Sequence, residues 1–215
     1  MTARPDDARL PLLLAAIVLV ALVVSGLHPY DRGTWLAEVA PVFLAAPVLI
    51  YTWPRFRLTN LLYVLIAIHA LVLIVGGAYT YARVPFGFVL KDWLELDRNP
   101  YDRIGHFVQG FVPALIAREV LLRNHFLTNK AMTAFLCFCC AMTVSALYEL
   151  IEWLSAVVAG GGAVEFLGTQ GDPWDAQGDM LMALIGALAG LTTLSRFHDR
   201  QLAQLATAGR SGSKA

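Results

Sequence analysis

The sequence predicts an all-α protein, a polytopic membrane helix bundle of about six transmembrane helices with both termini in the cytoplasm. Of its 215 residues, 58% are hydrophobic and 15% are charged, whereas roughly a quarter of the residues in ordinary soluble domains are charged. Several apolar runs are long enough to cross a bilayer. Basic residues are also spread unevenly between the loops, as the positive-inside rule expects.

Six apolar stretches of membrane-spanning length follow one another along the chain. Because only short loops join the first three, the prediction is a single six-helix membrane domain, 10–195. A cytoplasmic segment, 1–9, precedes it, and a flexible cytoplasmic tail, 196–215, follows it. No small-residue cleavage pattern follows the first stretch, which is therefore expected to remain as a helix. The predicted spans are 10–27, 35–53, 58–81, 100–122, 131–158 and 173–194.

The basic residues set the expected orientation. With both termini inside, most of the sixteen basic residues face the cytoplasm, and loop 159–172 has none. The formal net charge is zero, so no nucleic-acid partner is expected. The expected partners are membrane lipid and a lipid-linked substrate, and the sequence leaves the oligomeric state open. The basic residues expected outside are Arg32, Arg83, Lys91, Arg98 and Arg103.

Two helix starts share one sequence plan. Residues 99–106 read NPYDRIGH and residues 172–179 read DPWDAQGD. In each, Asn or Asp is the predicted N-cap, proline takes the first helical position, and an acid follows in the first turn. Capping alone is an alternative account of Asp102 and Asp175. It does not account for His106 and Asp179, which lie a turn deeper, where a charged side chain is costly and usually functional.

Ionisable side chains from three predicted spans are expected to meet near the outer surface. Asp102 with His106 and Asp175 with Asp179 are spaced i,i+4, and Glu149 with Glu152 is spaced i,i+3, so each pair occupies one helix face. Gly105 and Gly178 are expected to give clearance for the site.

The charge balance of this group predicts a metal. Six carboxylates, counting Asp172, face only Arg103 and His106 as nearby cations. Protonation could neutralise some of them, whereas a divalent ion neutralises several together and takes their oxygens as ligands. Carboxylates with one imidazole suit zinc, manganese, iron or magnesium. Glu152 is the predicted general base, and Asp102 is either a ligand or the acceptor for the second nitrogen of His106. The predicted ligands are His106, Glu149, Asp175, Asp179 and Asp102.

Three motifs also resemble a known family. YDRIGHFVQGFVPALIAREVLL, ALYELIEW and GTQGDPWDAQGDM, with the six-span layout, are similar to the YjdF-like bacterial inner-membrane proteins, a family of unknown function. The resemblance implies a multi-pass protein of the bacterial inner (plasma) membrane. More remotely, DRIGH, Glu149 or Glu152, and DPWD resemble the VanZ-like membrane proteins, which are associated with glycopeptide-antibiotic tolerance.

Three classes of function remain open. The first is a metal-dependent hydrolase that acts on a phosphoryl or related bond of a lipid-linked or envelope substrate. The second is a divalent-cation or proton transporter or channel. Against it, we expect no acidic residues in the inner half of the fourth to sixth spans to match the outer ones. The third is a non-catalytic membrane scaffold in which the cluster only joins helices.

Two loops beside the predicted site suggest a covered pocket. Residues 85–96 place Phe86, Val89, Leu90 and Trp93 on one helical face, which predicts a helix that lies in the interface and roofs the site. Residues 159–171 are glycine-rich, with Glu165 and Gln170 as their polar side chains. They are either a plain connector or a mobile lid.

Overall fold

The computed structural model describes residues 5–159 and 169–212, and within these ranges it is helical with no strand. A short 3₁₀ turn, Tyr81–Arg83, precedes the fourth helix. The helices are α1 (Pro5–Leu27), α2 (Arg32–Thr52), α3 (Asn60–Tyr79), α4 (Pro85–Trp93), α5 (Tyr101–Arg123), α6 (Lys130–Ala159), α7 (Asp175–Thr193) and α8 (Ser195–Gly212).

Four of these helices are long and apolar enough to cross a membrane, namely α1, α2, α3 and α6. A fifth span exists if α7 and the start of α8, which meet at a bend of 59°, are taken together. The predicted all-α membrane bundle is therefore confirmed. The count of six spans and the cytoplasmic position of both termini remain predictions.

Helix α5 lies at the centre of the bundle, and its buried residues include the ionisable Asp102, His106 and Glu119. Its 23 residues correspond to a length of about 34 Å, enough to span a bilayer core. It packs most closely against α7, and also against α6 and α3. We call the end of the bundle where α5 begins the outer end and the end where it finishes the inner end.

Glycines allow α5 and α7 to approach backbone to backbone. A Cβ atom at Gly110 would collide with the carbonyl oxygen of Ala183, and one at Gly186 would collide with that of Phe107. Both glycines are buried in the interface. This close approach is typical of membrane helices, where small residues replace the hydrophobic effect as the basis of packing.

Helices α1 and α2 form the periphery of the bundle and present apolar side chains outward. Leu44 is 71% exposed and Ile50 is 75% exposed, which in this protein means exposure to lipid. The start of α2 is capped by Asp31, whose Oδ1 accepts a hydrogen bond from the Thr34 amide at 2.7 Å. That bond lowers the pKa of Asp31, since it favours the charged carboxylate.

The two segments with the same sequence pattern, 99–106 and 172–179, start their helices in a similar way. Each helix begins later in the sequence than predicted. Asn99 Oδ1 accepts from the Tyr101 amide at 3.0 Å, and Asp172 Oδ1 accepts from the Trp174 amide at 2.9 Å. The capping residues by backbone geometry are Pro100 and Trp174. The predicted caps therefore act on the amide two residues ahead, and each proline precedes its helix instead of opening it.

The segment beyond residue 196, predicted to be a flexible cytoplasmic tail, is helical as far as Gly212. Residues Ser195–Gly212 form α8, and His198 at its start is fully buried. A polar anchor described below holds this helix against α3 and α5. The sequence composition alone had indicated fraying because the segment is polar.

Helix α4 has the orientation expected of an interfacial helix. Phe86, Val89 and Trp93 on its apolar face are all exposed, so this face is turned away from the protein. The opposite face packs close to the start of α5, because Gly87 lies against the Asn99 side chain.

Candidate metal centre

Three ionisable residues from two helices meet at the outer end of the bundle. Asp102 and His106 come from α5, and Asp179 comes from α7. Each offers one possible metal-ligating atom, and these atoms all lie within 4.8 Å of one another. The residues are 7%, 4% and 2% exposed, respectively. The i,i+4 spacing on α5 and the glycine-mediated contact with α7 together bring them to one point.

His106 lies between two carboxylates, one at each ring nitrogen. Its Nε2 is 3.5 Å from Asp102 Oδ1, and its Nδ1 is 3.5 Å from Glu149 Oε1 on α6. Within the described residues, His106 Nδ1, Glu149 Oε1 and Asp179 Oδ1 are buried and have no hydrogen-bond partner. Buried polar atoms without partners are rare and need an explanation, such as an ion or a water.

Two arginines, Arg98 and Arg103, form ion pairs with the carboxylates around this group. We call the side of the group on which they lie its mouth. Arg103 Nη2 is 3.0 Å from Asp172 Oδ2, and its Nη1 is 3.2 Å from Asp179 Oδ1. Arg98 pairs with Asp175 and also approaches Asp172 at 3.4 Å and Asp102 at 3.5 Å. Asp175 therefore forms ion pairs with both arginines. It does not belong to the converging group of Asp102, His106 and Asp179.

The charge of Arg98 is stabilised by this arrangement. Partial burial works against the charge, but the hydrogen bond and the negative charge of Asp175 outweigh it, so the pKa of Arg98 is raised from its ordinary value. Arg98 is therefore a permanent cation of the site. The expectation that Arg103 and His106 are the only nearby cations was wrong.

Gly105 and Gly178, which occur at the same position of the two similar helix starts, leave space for side chains of the protein. A Cβ atom at Gly178 would collide with the guanidinium of Arg103, and one at Gly105 would lie 2.8 Å from the Tyr81 ring. Gly178 thus allows Arg103 to cross from α5 to the carboxylates of α7.

A small cavity lies beside His106. Its volume is about 10 Å³, close to the minimum that holds one water molecule. Glu152 from α6 is 9% exposed and lines this cavity. It makes no hydrogen bond or ion pair within the described part of the chain. The other polar residues of the lining are Glu38, Tyr81, Asp102, His106, Gln109 and Tyr148.

Sequence reasoning missed three members of this region. Glu38 on α2 is 2% exposed and accepts a hydrogen bond from the Tyr148 hydroxyl at 2.6 Å. A lone acid inside an apolar span was the available signal for Glu38. No comparable signal pointed to Arg98, because it precedes its helix, or to Tyr148, whose partner lies 110 residues away in the chain.

The inner end also holds a buried acid, contrary to expectation. Glu119 on α5 is fully buried and accepts hydrogen bonds from the Thr59 hydroxyl at 2.7 Å and from Arg123 at 2.8 Å. Its Oε2 is 2.9 Å from His198 Nε2. The predicted absence of acidic residues in the inner half of these helices was therefore wrong.

The described part of the glycine-rich loop begins at Thr169. Most of the loop, including Glu165, lies outside the described residues. The Gln170 side chain makes two hydrogen bonds to the Asn99 backbone, with Oε1 accepting at 3.0 Å and Nε2 donating at 2.9 Å. Thr169 accepts from Arg98 through its carbonyl oxygen at 3.2 Å. Residues 169–172 are thereby tied to the mouth of the site.

The fold and this group of side chains define a polytopic membrane protein with a buried carboxylate–histidine cluster at one end. The chain belongs to the family described as "Predicted membrane protein (DUF2238)", whose model matches residues 10–200. It is 52% identical over 195 residues to "Inner membrane protein YjdF" of Escherichia coli (strain K12). The alignment covers 89% of this chain and 93% of that protein. No solved structure matches the chain significantly.

These comparisons confirm the resemblance to the YjdF-like proteins and the multi-pass location in the inner membrane. The remote similarity to VanZ-like proteins remains a prediction.

Proposed function

We propose that Asp102, His106 and Asp179 bind a divalent metal ion, and that the protein is a metal-dependent hydrolase of a lipid-linked or envelope substrate. The observation that carries this proposal is the convergence of three buried ligand atoms within 4.8 Å. Asp179 Oδ1 is buried without a hydrogen bond among the described residues, and its ion pair is with Arg103 at 3.2 Å. A metal ion among the three residues would give this oxygen a further partner.

The two sides of His106 suggest a division of roles. Asp102 lies on the Nε2 side and belongs to the converging group, whereas Glu149 lies on the Nδ1 side and does not. We therefore assign Nε2 to the metal and Glu149 to the acceptor of the Nδ1 proton. A ligating histidine usually gives its second N–H to a carboxylate in this way. Glu149 is then a positioning residue instead of the ligand that its sequence position suggested.

The donor set favours zinc, manganese, iron or magnesium, since it combines carboxylates with one imidazole. A metal bound there supplies a Lewis acid and an acidified water. Glu152 lines the adjacent cavity with an unpaired carboxylate, so it can accept the proton of that water as general base. Asp175 and Asp172 hold Arg98 and Arg103 at the mouth.

A lipid-linked substrate fits the surroundings of the cluster. Trp153, next to Glu152 on α6, is 61% exposed, and Leu150 and Leu154 are also exposed to lipid. Helix α4 presents its apolar face at the same end of the bundle. A substrate with an acyl or polyprenyl chain would reach the cluster from within the membrane.

Transport of a divalent cation or proton is the second candidate, and the buried Glu119–His198 pair at the inner end favours it. Such a route would need to pass Val112 and Leu115, which are at most 1% exposed and lie on α5 between His106 and Glu119. Leu62, also buried, belongs to the same core cluster as Leu115. In the described part of the chain, Thr59, Arg123 and His198 supply the hydrogen bonds of Glu119. The hydrolase is therefore the better supported of the two.

The test measures metal content, hydrolysis and ion flux on the same variants. We expect His106→Ala to lose the metal. We expect Glu152→Gln to keep the metal at His106 but to lose hydrolytic activity. Hydrolysis is measured by mass spectrometry of an inner-membrane lipid extract incubated with the protein. Asp92→Asn, an exposed acid on α4, is the matched control and should change neither.

The alternatives predict other outcomes. Metal-dependent ion flux in proteoliposomes of the parent protein would favour transport. A parent protein that binds no metal and moves neither ions nor protons in proteoliposomes would leave the scaffold as the remaining class.

A further inference from the structure

The cavity beside His106 has a lining that differs from the three-residue group. Asp102 and His106 line both, but Asp179 does not line the cavity. The remaining polar residues of the lining all offer oxygen atoms, and they are Glu38, Tyr81, Gln109, Tyr148 and Glu152. Oxygen donors of this kind select hard cations such as magnesium, manganese or calcium.

The charge balance of the whole cluster leaves room for more than one cation. Seven carboxylates and two guanidinium groups lie at the outer end within the described residues, and His106 is neutral when it acts as a ligand. With all seven carboxylates ionised, one divalent ion would leave three negative charges without compensation, inside a bilayer where charge is costly. The carboxylates are Glu38, Asp102, Glu149, Glu152, Asp172, Asp175 and Asp179, and the cations are Arg98 and Arg103.

Neither Arg98 nor Arg103 lines the cavity. Their ion pairs are with the carboxylates at the mouth and with Asp179 and Asp102. Glu38 has the Tyr148 hydroxyl as its donor, and Glu152 has no partner in the described ranges. An unpaired carboxylate that is nine-tenths buried and borders a cavity indicates a missing ligand there.

We propose that this cavity is a second cation site, in which Glu38 and Glu152 bind a hard divalent cation and Asp102 is shared with the ion at His106. The inference rests on the proposed function through Asp102. It makes the cluster a two-ion centre, an arrangement that in hydrolytic enzymes stabilises both the attacking and the leaving oxygen. Glu152 would then serve both as a ligand of this cation and as the general base of the proposed hydrolysis.

The experiment counts Mn²⁺ ions on the detergent-purified protein after chelation and reconstitution. We expect two Mn²⁺ per chain and an electron paramagnetic resonance spectrum with exchange coupling between neighbouring ions. Glu38→Gln should retain one Mn²⁺ with the spectrum of an isolated ion. Glu38→Asp keeps the charge but shortens the side chain, and should weaken the second binding step by about ten-fold or more. Asp92→Asn should bind two ions like the parent.

Each result decides a different point. One Mn²⁺ per chain in the parent, with an uncoupled spectrum, would overturn the second site and leave the metal at His106 standing; protons would then neutralise the cavity. Two coupled ions in Glu38→Gln would also overturn it. A parent that binds no Mn²⁺, nor any of the other candidate metals, would remove the proposed function as well.

Discussion

At the scale of single residues, Glu119 shows how a buried charge is stabilised in this protein. Its two oxygens accept from the Thr59 amide and hydroxyl, from Arg123 and from His198. Arg118 lies 3.3 Å from His198 Nδ1. Because a guanidinium only donates, Nδ1 must accept and Nε2–H must donate to Glu119, which assigns the neutral tautomer. This pair anchors α8, since His198 lies in its first turn.

We predict that Glu119→Gln destabilises the protein strongly, because it removes the charge that pairs with Arg123 and replaces one of the two acceptor oxygens by an NH2 group that faces other donors. Breaking a buried pair by removing one partner typically costs about 3–5 kcal/mol. Asp199→Asn is the control: Asp199 pairs with Arg118 but its side chain is 58% exposed, so the loss should be about 1 kcal/mol or less. Thermal unfolding in detergent measures both. Equal losses in the two variants would contradict a specific role for the buried pair.

At the scale of secondary-structure elements, the contact between α5 and α7 sets the geometry of the site. One helix supplies Asp102 and His106 and the other supplies Asp179, so the distance between the helix axes controls the distance between these side chains. Gly110 and Gly186 permit the close approach, whereas Gly190 is less crowded, with Phe111 O at 3.1 Å from an added Cβ atom.

We expect Gly110→Ala and Gly186→Ala to force these helices apart. Overpacking of a tight interface costs about 1–3 kcal/mol, and the helix separation that relieves the Cβ collisions with the carbonyl oxygens of Ala183 and Phe107 would also weaken metal binding. Gly190→Ala should cost less, because its neighbour needs to move only slightly. Unfolding and metal titration of the three variants test this order. A Gly110→Ala protein with parental stability and metal affinity would show that the interface tolerates the added methyl group.

The helices themselves were predictable from the sequence, because a long apolar run has few alternatives in a bilayer. The group formed by Asp102, His106 and Asp179 was accessible through spacing and shared depth. The pairing of Glu38 with Tyr148 was not, since an almost uniformly apolar helix such as α2 gives no periodic pattern to show which face meets the protein. Arg98 and α8 were missed for a related reason: their partners are distant in the chain, and only tertiary contact holds them.

At the scale of the whole molecule, two polar clusters lie at opposite ends of α5 and an apolar band separates them. The inner cluster is complete, because protein donors satisfy Glu119. The outer cluster is incomplete, because carboxylates outnumber cations and several buried atoms lack partners within the described residues. The stability of the folded protein should therefore depend on what binds at the outer end and much less on additions at the inner end.

The last prediction tests this dependence by removing the metal. A ligand that binds only the folded state stabilises it by about 2.7 kcal/mol at a concentration one hundred times its Kd. For a chain of this size that corresponds to a Tm change on the order of 5–10 °C. Chelation should lower the Tm of the parent by this amount, and restored metal should recover it. His106→Ala lacks the ion at His106, so its Tm should start below that of the parent and respond less to both treatments, while Asp92→Asn should behave as the parent does. An unchanged Tm in the parent after confirmed metal loss would indicate that protons neutralise the carboxylates, since they remain available when the metal is gone.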